Sequence, residues 1–188
     1  MGTRQSIRFK FLKTTFEIEL RKLYDNNSQF NIRFFTGAFW RNKTSDDYFS
    51  FALDRPTDYL FEYDYLGRSE DSGLFSQQFV MADGGFKSKL SEPYANQWMT
   101  TINTSMNIWK WAEFYMDAGF VKNKGYQARM VHDSGIRLNL VTDYLEFYFP
   151  LYSSNGWEVT GSSYAEKIRF VVALNPRTLS GLFQRNFF

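Results

Sequence analysis

Residues 143–158 read DYLEFYFPLYSSNGWE. Tyr144, Phe147, Tyr148, Phe149, Tyr152 and Trp157 crowd around a lone Glu146, and Pro150 interrupts them. Leu145, Phe147 and Phe149 alternate with Glu146 and Tyr148. A period of two means that successive side chains point to opposite faces of a strand. With rings on both faces, the stretch poses a question of surroundings: other rings, a ligand, or lipid.

Outward from this stretch, the same alternation recurs. Phe16, Ile18 and Leu20 alternate with Glu17 and Glu19, and Phe30, Ile32 and Phe34 with Asn31 and Arg33. The DNNS at Asp25–Ser28 between them marks a hairpin. Tyr59, Phe61, Tyr63 and Tyr65 continue the pattern, as do Ala112–Phe120, Ile136–Leu140 and Ile168–Leu174. Phe9 and Phe11 fall out of phase with Phe16, so a bulge or turn is expected at Lys13–Thr15. Turns are expected at Asp25–Ser28, Arg41–Asp47, Gly67–Gly73, Asp83–Tyr94, Val121–Gly125, Val141–Asp143 and Ser153–Ser163. Asp83–Tyr94 is the longest loop. Roughly eight to ten strands lie between these turns. Helical spacing is nearly absent, and the tail at 176–188 reads as a short helix or an irregular plug, with Pro176 suited to a first turn.

The 188 residues make one domain, 1–188, long enough for a real core. Aromatics are 20% of the chain, with 21 phenylalanines, far above ordinary globular usage. The net charge is +2, so global charge indicates neither nucleic acid nor an anionic membrane surface as partner. Aromatic strands with basic residues can stack single strands, but here every basic face is also acidic, as at Glu17, Glu19 and Arg21. The absence of cysteine removes disulfides, thiolate catalysis and Cys-ligated zinc. The first residues, MGTRQSIRFKF, carry no apolar core of a signal peptide, so any export signal is expected outside this sequence. The longest apolar run, Phe170–Leu174, is too short for a transmembrane helix.

Alternation of this kind fits a closed antiparallel sheet, which removes exposed edges. It does not say which face is inside. A soluble barrel points its apolar set inward, and an outer-membrane barrel points it at lipid. Three features favour the membrane. The polar face carries both signs, able to pair within a lumen: Glu17, Glu19, Arg33, Glu62, Asp64, Glu113, Asp117, Arg137, Glu146 and Arg169. Tyr and Trp gather toward strand ends, as girdles at a lipid–water boundary do. Several strands are about ten residues or longer, enough to cross a bilayer when tilted.

Sites for chemistry are sparse. The one histidine, His132, stands beside Asp133 and Ser134, but adjacent strand residues point apart and cannot form a relay. One histidine and no cysteine make a poor zinc shell. Asp46–Asp47, Glu70–Asp71 and Asp83 are loop charges with at most loose affinity for Ca²⁺. Glu62 and Asp64 share a face only as any alternating polar pair does. No phosphate-binding glycine motif is present. No catalytic residue, metal or cofactor is expected.

Three segments carry a family resemblance: ANQWMTTINTSMNIWKWAEFYMDAGFVKNKG (Ala95–Gly125), DSGIRLNLVTDYLEFYFPLYSSNGWE (Asp133–Glu158) and YAEKIRFVVALNPRTLSGLFQRNFF (Tyr164–Phe188). They resemble the C-terminal region of large bacterial membrane-associated gluzincin metallopeptidase-like proteins. Those are similar to aminopeptidases in a soluble part and end in a β-rich, barrel-like membrane part. SGIRLNLV, Tyr148-Phe149-Pro150 and EKIRFVV are the specific pieces. The first ninety or so residues match only by alternation. The resemblance implies the membrane segment of such a protein, or a stand-alone derivative. The family's HExxH is absent, so no active-site residue carries over.

The expectation is therefore an all-β antiparallel up-and-down barrel, or part of one, in a bacterial outer membrane. Phe16, Ile18, Leu20, Phe147, Phe149, Ile168, Phe170 and Val172 would face lipid. Glu17, Glu19, Arg33, Arg137, Glu146 and Arg169 would face the interior and pair there. Trp98, Trp109, Trp111, Tyr152 and Trp157 would sit at the interfaces, and Pro150 near the rim, where a missing N–H costs least. The role would be anchoring, with membrane lipids and other outer-membrane or periplasmic domains as partners. The alternative is a soluble barrel binding a small apolar ligand in an aromatic-lined cavity.

Overall fold

A computed structural model describes residues 11–24, 29–42, 49–55, 74–141, 145–160 and 163–172. The chain is predominantly antiparallel β. The long strands are β1 (Leu12–Leu23), β2 (Gln29–Arg41), β5 (Trp98–Asn107), β6 (Ala112–Lys122), β7 (Arg129–Val141) and β8 (Leu145–Ser153). The short ones are β3 (Phe51–Ala52), β4 (Tyr94–Ala95), β9 (Gly156–Trp157) and β10 (Arg169–Val172). One eight-stranded sheet runs β1-β2-β5-β6-β7-β8-β10, with β9 paired to β8. Among the described residues it does not close on itself, and β1 and β10 are its edges. The alternating stretch at Tyr59–Tyr65 and the tail at 176–188 lie outside the described residues.

Period-two patterning explains the register. Phe34 pairs with Ile18 and with Ile102, Ile102 with Ala118, and Ile136 with Phe149. Apolar residues therefore line up in rows across one face, and the other carries the charged and polar residues together with a patch of apolar ones such as Phe35, Met99, Val121 and Val131. The phase slip near the start is real, but it falls between Leu12 and Lys13, at the leading edge of the expected turn. The connections are unequal. At one end β1–β2, β5–β6 and β7–β8 turn within residues 24–28, 108–111 and 142–144. At the other end lie 42–97, 123–128 and 154–168.

The segment between β2 and β5 supplies an inner layer. β3 and β4 pair with each other and lie over one face of the large sheet. Phe51, Leu53, Phe86 and Leu90 from this layer bury against Phe35, Met99, Val121 and Val131 from the strands. Phe51 meets Phe35 and Phe39 with ring centroids 5.8 and 4.8 Å apart. Gly37 makes room for it: a Cβ there would stand 2.4 Å from the Phe51 ring. A second cluster joins Phe79, Tyr115 and Tyr148. The Asp83–Tyr94 segment, expected as a loop, therefore packs within the fold. Backbone bonds from Leu53 N to Pro93 O (2.8 Å) and Gly84 N to Ala52 O (2.8 Å) hold it.

Pro150 departs from expectation. It is buried inside β8, opposite Gly135, where the register with β7 shifts. The irregularity accommodates the missing N–H, as bulges do, without needing the rim. Gly135 is needed at that point, because a Cβ would lie 2.2 Å from Phe149 O and 2.6 Å from the Tyr115 hydroxyl.

Candidate functional site

The inner face, covered in part by the β3–β4 layer, carries the charges. Arg137 donates through Nη1 to Glu113 (3.3 Å) and through Nη2 to Glu146. Tyr148 Oη donates to the other Glu146 oxygen at 2.7 Å, while Gln29 and Asn139 both donate to Glu113 Oε1. Glu113 and Glu146 are buried, as is Arg169. Further along the face, Lys87 donates to both oxygens of Asp117 at 2.9 and 2.8 Å. The backbone N–H groups of Lys87 and Ser88 donate to Asp133 Oδ2 at 2.8 and 2.6 Å. Asp117 and Asp133 are cross-strand partners and both are fully enclosed. The inner layer is thus fastened to the wall by charge-assisted hydrogen bonds, which are roughly twice as strong as neutral ones. Within the inner layer itself, Asp54 accepts from Leu90 N at 2.6 Å and from Arg55 Nε at 2.9 Å.

The outer face is apolar. Ile32, Phe34, Ile102, Phe114, Met116, Phe120, Met130, Ile136, Leu138, Phe147, Phe149 and Phe170 line it, all half-buried or exposed. Ile102 is 40% exposed and Met116 52%. Among the described strand residues, the charged side chains on this face are Lys22 and Lys122, both at strand ends. The hydroxyls on it find partners within the sheet. Thr36 and Thr100 bond each other at 2.8 Å, Thr104 donates to Met116 O at 2.9 Å, and Ser134 donates to Tyr152 O at 3.3 Å. Internal satisfaction of these Thr and Ser groups is what hydrocarbon demands and water does not.

The expected residues sort as follows. Phe16, Ile18 and Leu20 are exposed, and Phe147, Phe149, Ile168, Phe170 and Val172 are half-buried on or beside the outer face. Arg33, Glu146 and Arg169 are enclosed, and Arg137 nearly so. Glu17 and Glu19 take the inner-face side of β1, opposite Phe35 and Arg33 in register, and are exposed there because β1 is an edge strand with no described neighbour on its far side. Glu17 still reaches the enclosed Arg33, whose Nε donates to it at 2.6 Å. Trp98, Trp109, Trp111, Tyr152 and Trp157 are all exposed. Trp109 and Trp111 stand at the short-turn end, and the other three at the long-connection end. Trp40 and Tyr126, not singled out from the sequence, join the latter group.

His132 stacks on Tyr152, with ring centroids 5.4 Å apart and a 17° tilt, and Tyr152 meets Trp157 at 5.2 Å. His132 and Ser134 face outward and Asp133 inward, as adjacent strand positions must. Asp83 accepts from Ala52 N at 3.1 Å, a structural role. Asp46–Asp47, Glu62, Asp64 and Glu70–Asp71 lie outside the described residues. Beyond β9, burial first and then the Glu158 carboxylate push the Tyr164 phenol up from its ordinary value. Among the described residues no helix is long and apolar enough to cross a membrane, which leaves strands untouched by the statement. Among them, too, no three His, Cys, Asp or Glu side chains gather to hold a metal. Comparison with protein-family models, with curated proteins and with solved structures gives no match.

Proposed function

We propose that the chain is a non-catalytic outer-membrane β-barrel domain that anchors a periplasmic or surface domain, or a partner protein, in a bacterial outer membrane. The observation that carries this reading is the inverted polarity of the sheet. Ion pairs such as Lys87–Asp117 and Arg137–Glu113 are enclosed, while the Phe, Ile and Met rows stand outside. In water this arrangement forgoes burial worth about 25 cal/mol per Å² and desolvates charges at a cost. In a bilayer the first objection vanishes, since the apolar rows meet acyl chains, while the charges meet each other in either setting. Aromatics at both strand ends and short turns at one end accord with it. The barrel closes in the bilayer on this reading, because hydrocarbon cannot satisfy the backbone edge of β1 or the part of the β10 edge that Gln78 and Phe79 do not already engage. The resemblance to the membrane part of gluzincin-like metallopeptidases accords with an anchoring role.

The rival reading, a soluble barrel with an aromatic-lined apolar cavity, fits less well. The inner aromatic cluster around Phe51 and Phe86 is filled by the protein's own inner layer. Membrane fractionation with and without detergent, followed by gel migration before and after heating, tests the proposal. Partition into membranes, extraction only by detergent and a heat-dependent shift in migration are expected. Recovery of folded protein in detergent-free buffer overturns it.

A further inference from the structure

Where the inner layer meets the sheet at the long-connection end, a cavity of about 260 Å³ opens. Its walls come from 91–96 in the inner layer and from 121–129 around the β6–β7 turn. Neither β6 nor β7 is an edge strand, so closure between β1 and β10 leaves these walls as they are. Side-chain amides tie the two walls together. Asn96 N donates to Asn123 Oδ1 at 2.8 Å, Lys124 N to Asn96 Oδ1 at 2.8 Å, and Asn123 Nδ2 to Tyr94 O at 3.0 Å. Gly125, at φ +83°, lets the turn close, and Tyr126 N donates to Asn123 O at 3.1 Å. A frame fixed in advance lowers the ordering cost of binding.

The lining is polar and neutral. Its charged residues are Glu92 and Arg129, and they pair, Arg129 Nη1 donating to Glu92 Oε1. Among the described residues Arg129 Nε and Nη2 have no partner, and Glu92 Oε2 accepts only a long bond from Ser91 Oγ, at 3.4 Å. The Gln127 amide and the hydroxyls of Tyr94 and Tyr126 also have no partner among the described residues. These groups are within reach of solvent: the Arg129 side chain is 62% exposed, and Tyr126 is 69%.

A lining without net charge does not select an ion. A free carboxylate oxygen beside free guanidinium N–H groups matches adjacent hydroxyls, each of which both donates and accepts. A sugar ring carries such pairs. Its C–H face is also slightly positive, which suits the negative face of a tyrosine ring. The volume, just under the range of drug-sized pockets, fits one ring.

We propose that this cavity binds a neutral pyranose sugar through Glu92, Arg129 and Tyr126. The inference goes beyond the anchoring role and does not rest on it.

The test uses the full chain refolded in tetraethylene glycol monooctyl ether, a detergent whose head group is not a sugar. The probes are the methyl glycosides of glucose, galactose, mannose and N-acetylglucosamine, titrated by saturation-transfer NMR. Cyclohexanol, a ring of the same size with one hydroxyl, is the control. At least one glycoside should saturate with a Kd of about 1 mM or tighter, and cyclohexanol in about tenfold excess should not displace it. Tyr126→Ala should weaken that glycoside about fivefold or more, and Arg129→Met about tenfold or more. Both positions are exposed, so both variants should fold, as heat-shifted gel migration would show. No saturable glycoside, displacement by cyclohexanol, or binding indifferent to either variant overturns the proposal. None of these outcomes bears on membrane partition, so failure here and failure of the anchoring role are separately visible.

Discussion

Replacing Ile102 by lysine separates a lipid-facing sheet from a water-facing one. Ile102 lies in the middle of β5, a strand of 10 residues, with Phe34 and Ala118 as its cross-strand partners on the outer face. It is 40% exposed. In water a lysine would lay its methylene stem over Phe34 and put the ammonium into solvent, at a cost below about 1 kcal/mol. At the midplane of a bilayer the same ammonium costs about 2–4 kcal/mol, falling to about 0–1 near the interfaces. Met106, on the same face near the end of β5, gives the depth control. The assay is equilibrium urea unfolding from phosphatidylcholine vesicles, followed by tryptophan fluorescence and by heat-shifted gel migration. We expect Ile102→Lys to lose about 2–4 kcal/mol and Met106→Lys clearly less. If Ile102→Lys stays within about 0.5 kcal/mol of the parent, or Met106→Lys is the costlier, the outer face does not lie in hydrocarbon.

Two further expectations concern the interior. Lys87→Met strands the fully buried Asp117 carboxylate and should cost about 3–5 kcal/mol, whereas Lys87→Met with Asp117→Leu should recover most of it, as a double-mutant cycle in the same unfolding assay would show. Additive losses in that cycle would mean the pair is not coupled. Gly37→Ala drives a methyl into the Phe51 ring and should destabilise by about 1–3 kcal/mol, with Phe51→Leu in the same chain relieving it; a neutral Gly37→Ala would mean that Phe51 does not pack there.

The strands were the legible part. Phe16–Leu20, Ala112–Phe120, Ile136–Leu140 and Leu145–Phe149 announce themselves because a two-residue period is a local property of the chain. The enclosed Arg33, Arg137, Glu146 and Arg169 follow from the same period once the faces are assigned. The inner layer was not legible. Asp83–Tyr94 has no period, and its glycines and proline read as surface turn chemistry. What fixes it is long-range: Lys87 and Ser88 reaching Asp133 and Asp117, and Asn103 donating to Gly84 O at 3.0 Å. The exposure of Glu17 and Glu19 was illegible for a related reason, since alternation tells which face a residue takes but not whether its strand stands at an edge. Trp40 was passed over because β2 runs on to Arg41, into what reads as the start of a turn. The cavity needs three dimensions, because its walls come from Glu92, Asn123 and Arg129 at once.

β2 and β5 are neighbours in the sheet, yet the whole inner layer lies between them in sequence. Pairings of such separation form late, because chain closure must precede any reward. By that argument the local meander β5-β6-β7-β8 is expected to assemble first. The segment carrying Phe51 and Phe86 is expected to follow, and the β1–β2 hairpin to dock last. Native-state hydrogen exchange should accordingly find the β1–β2 amides opening at lower free energy than those of β6 and β7.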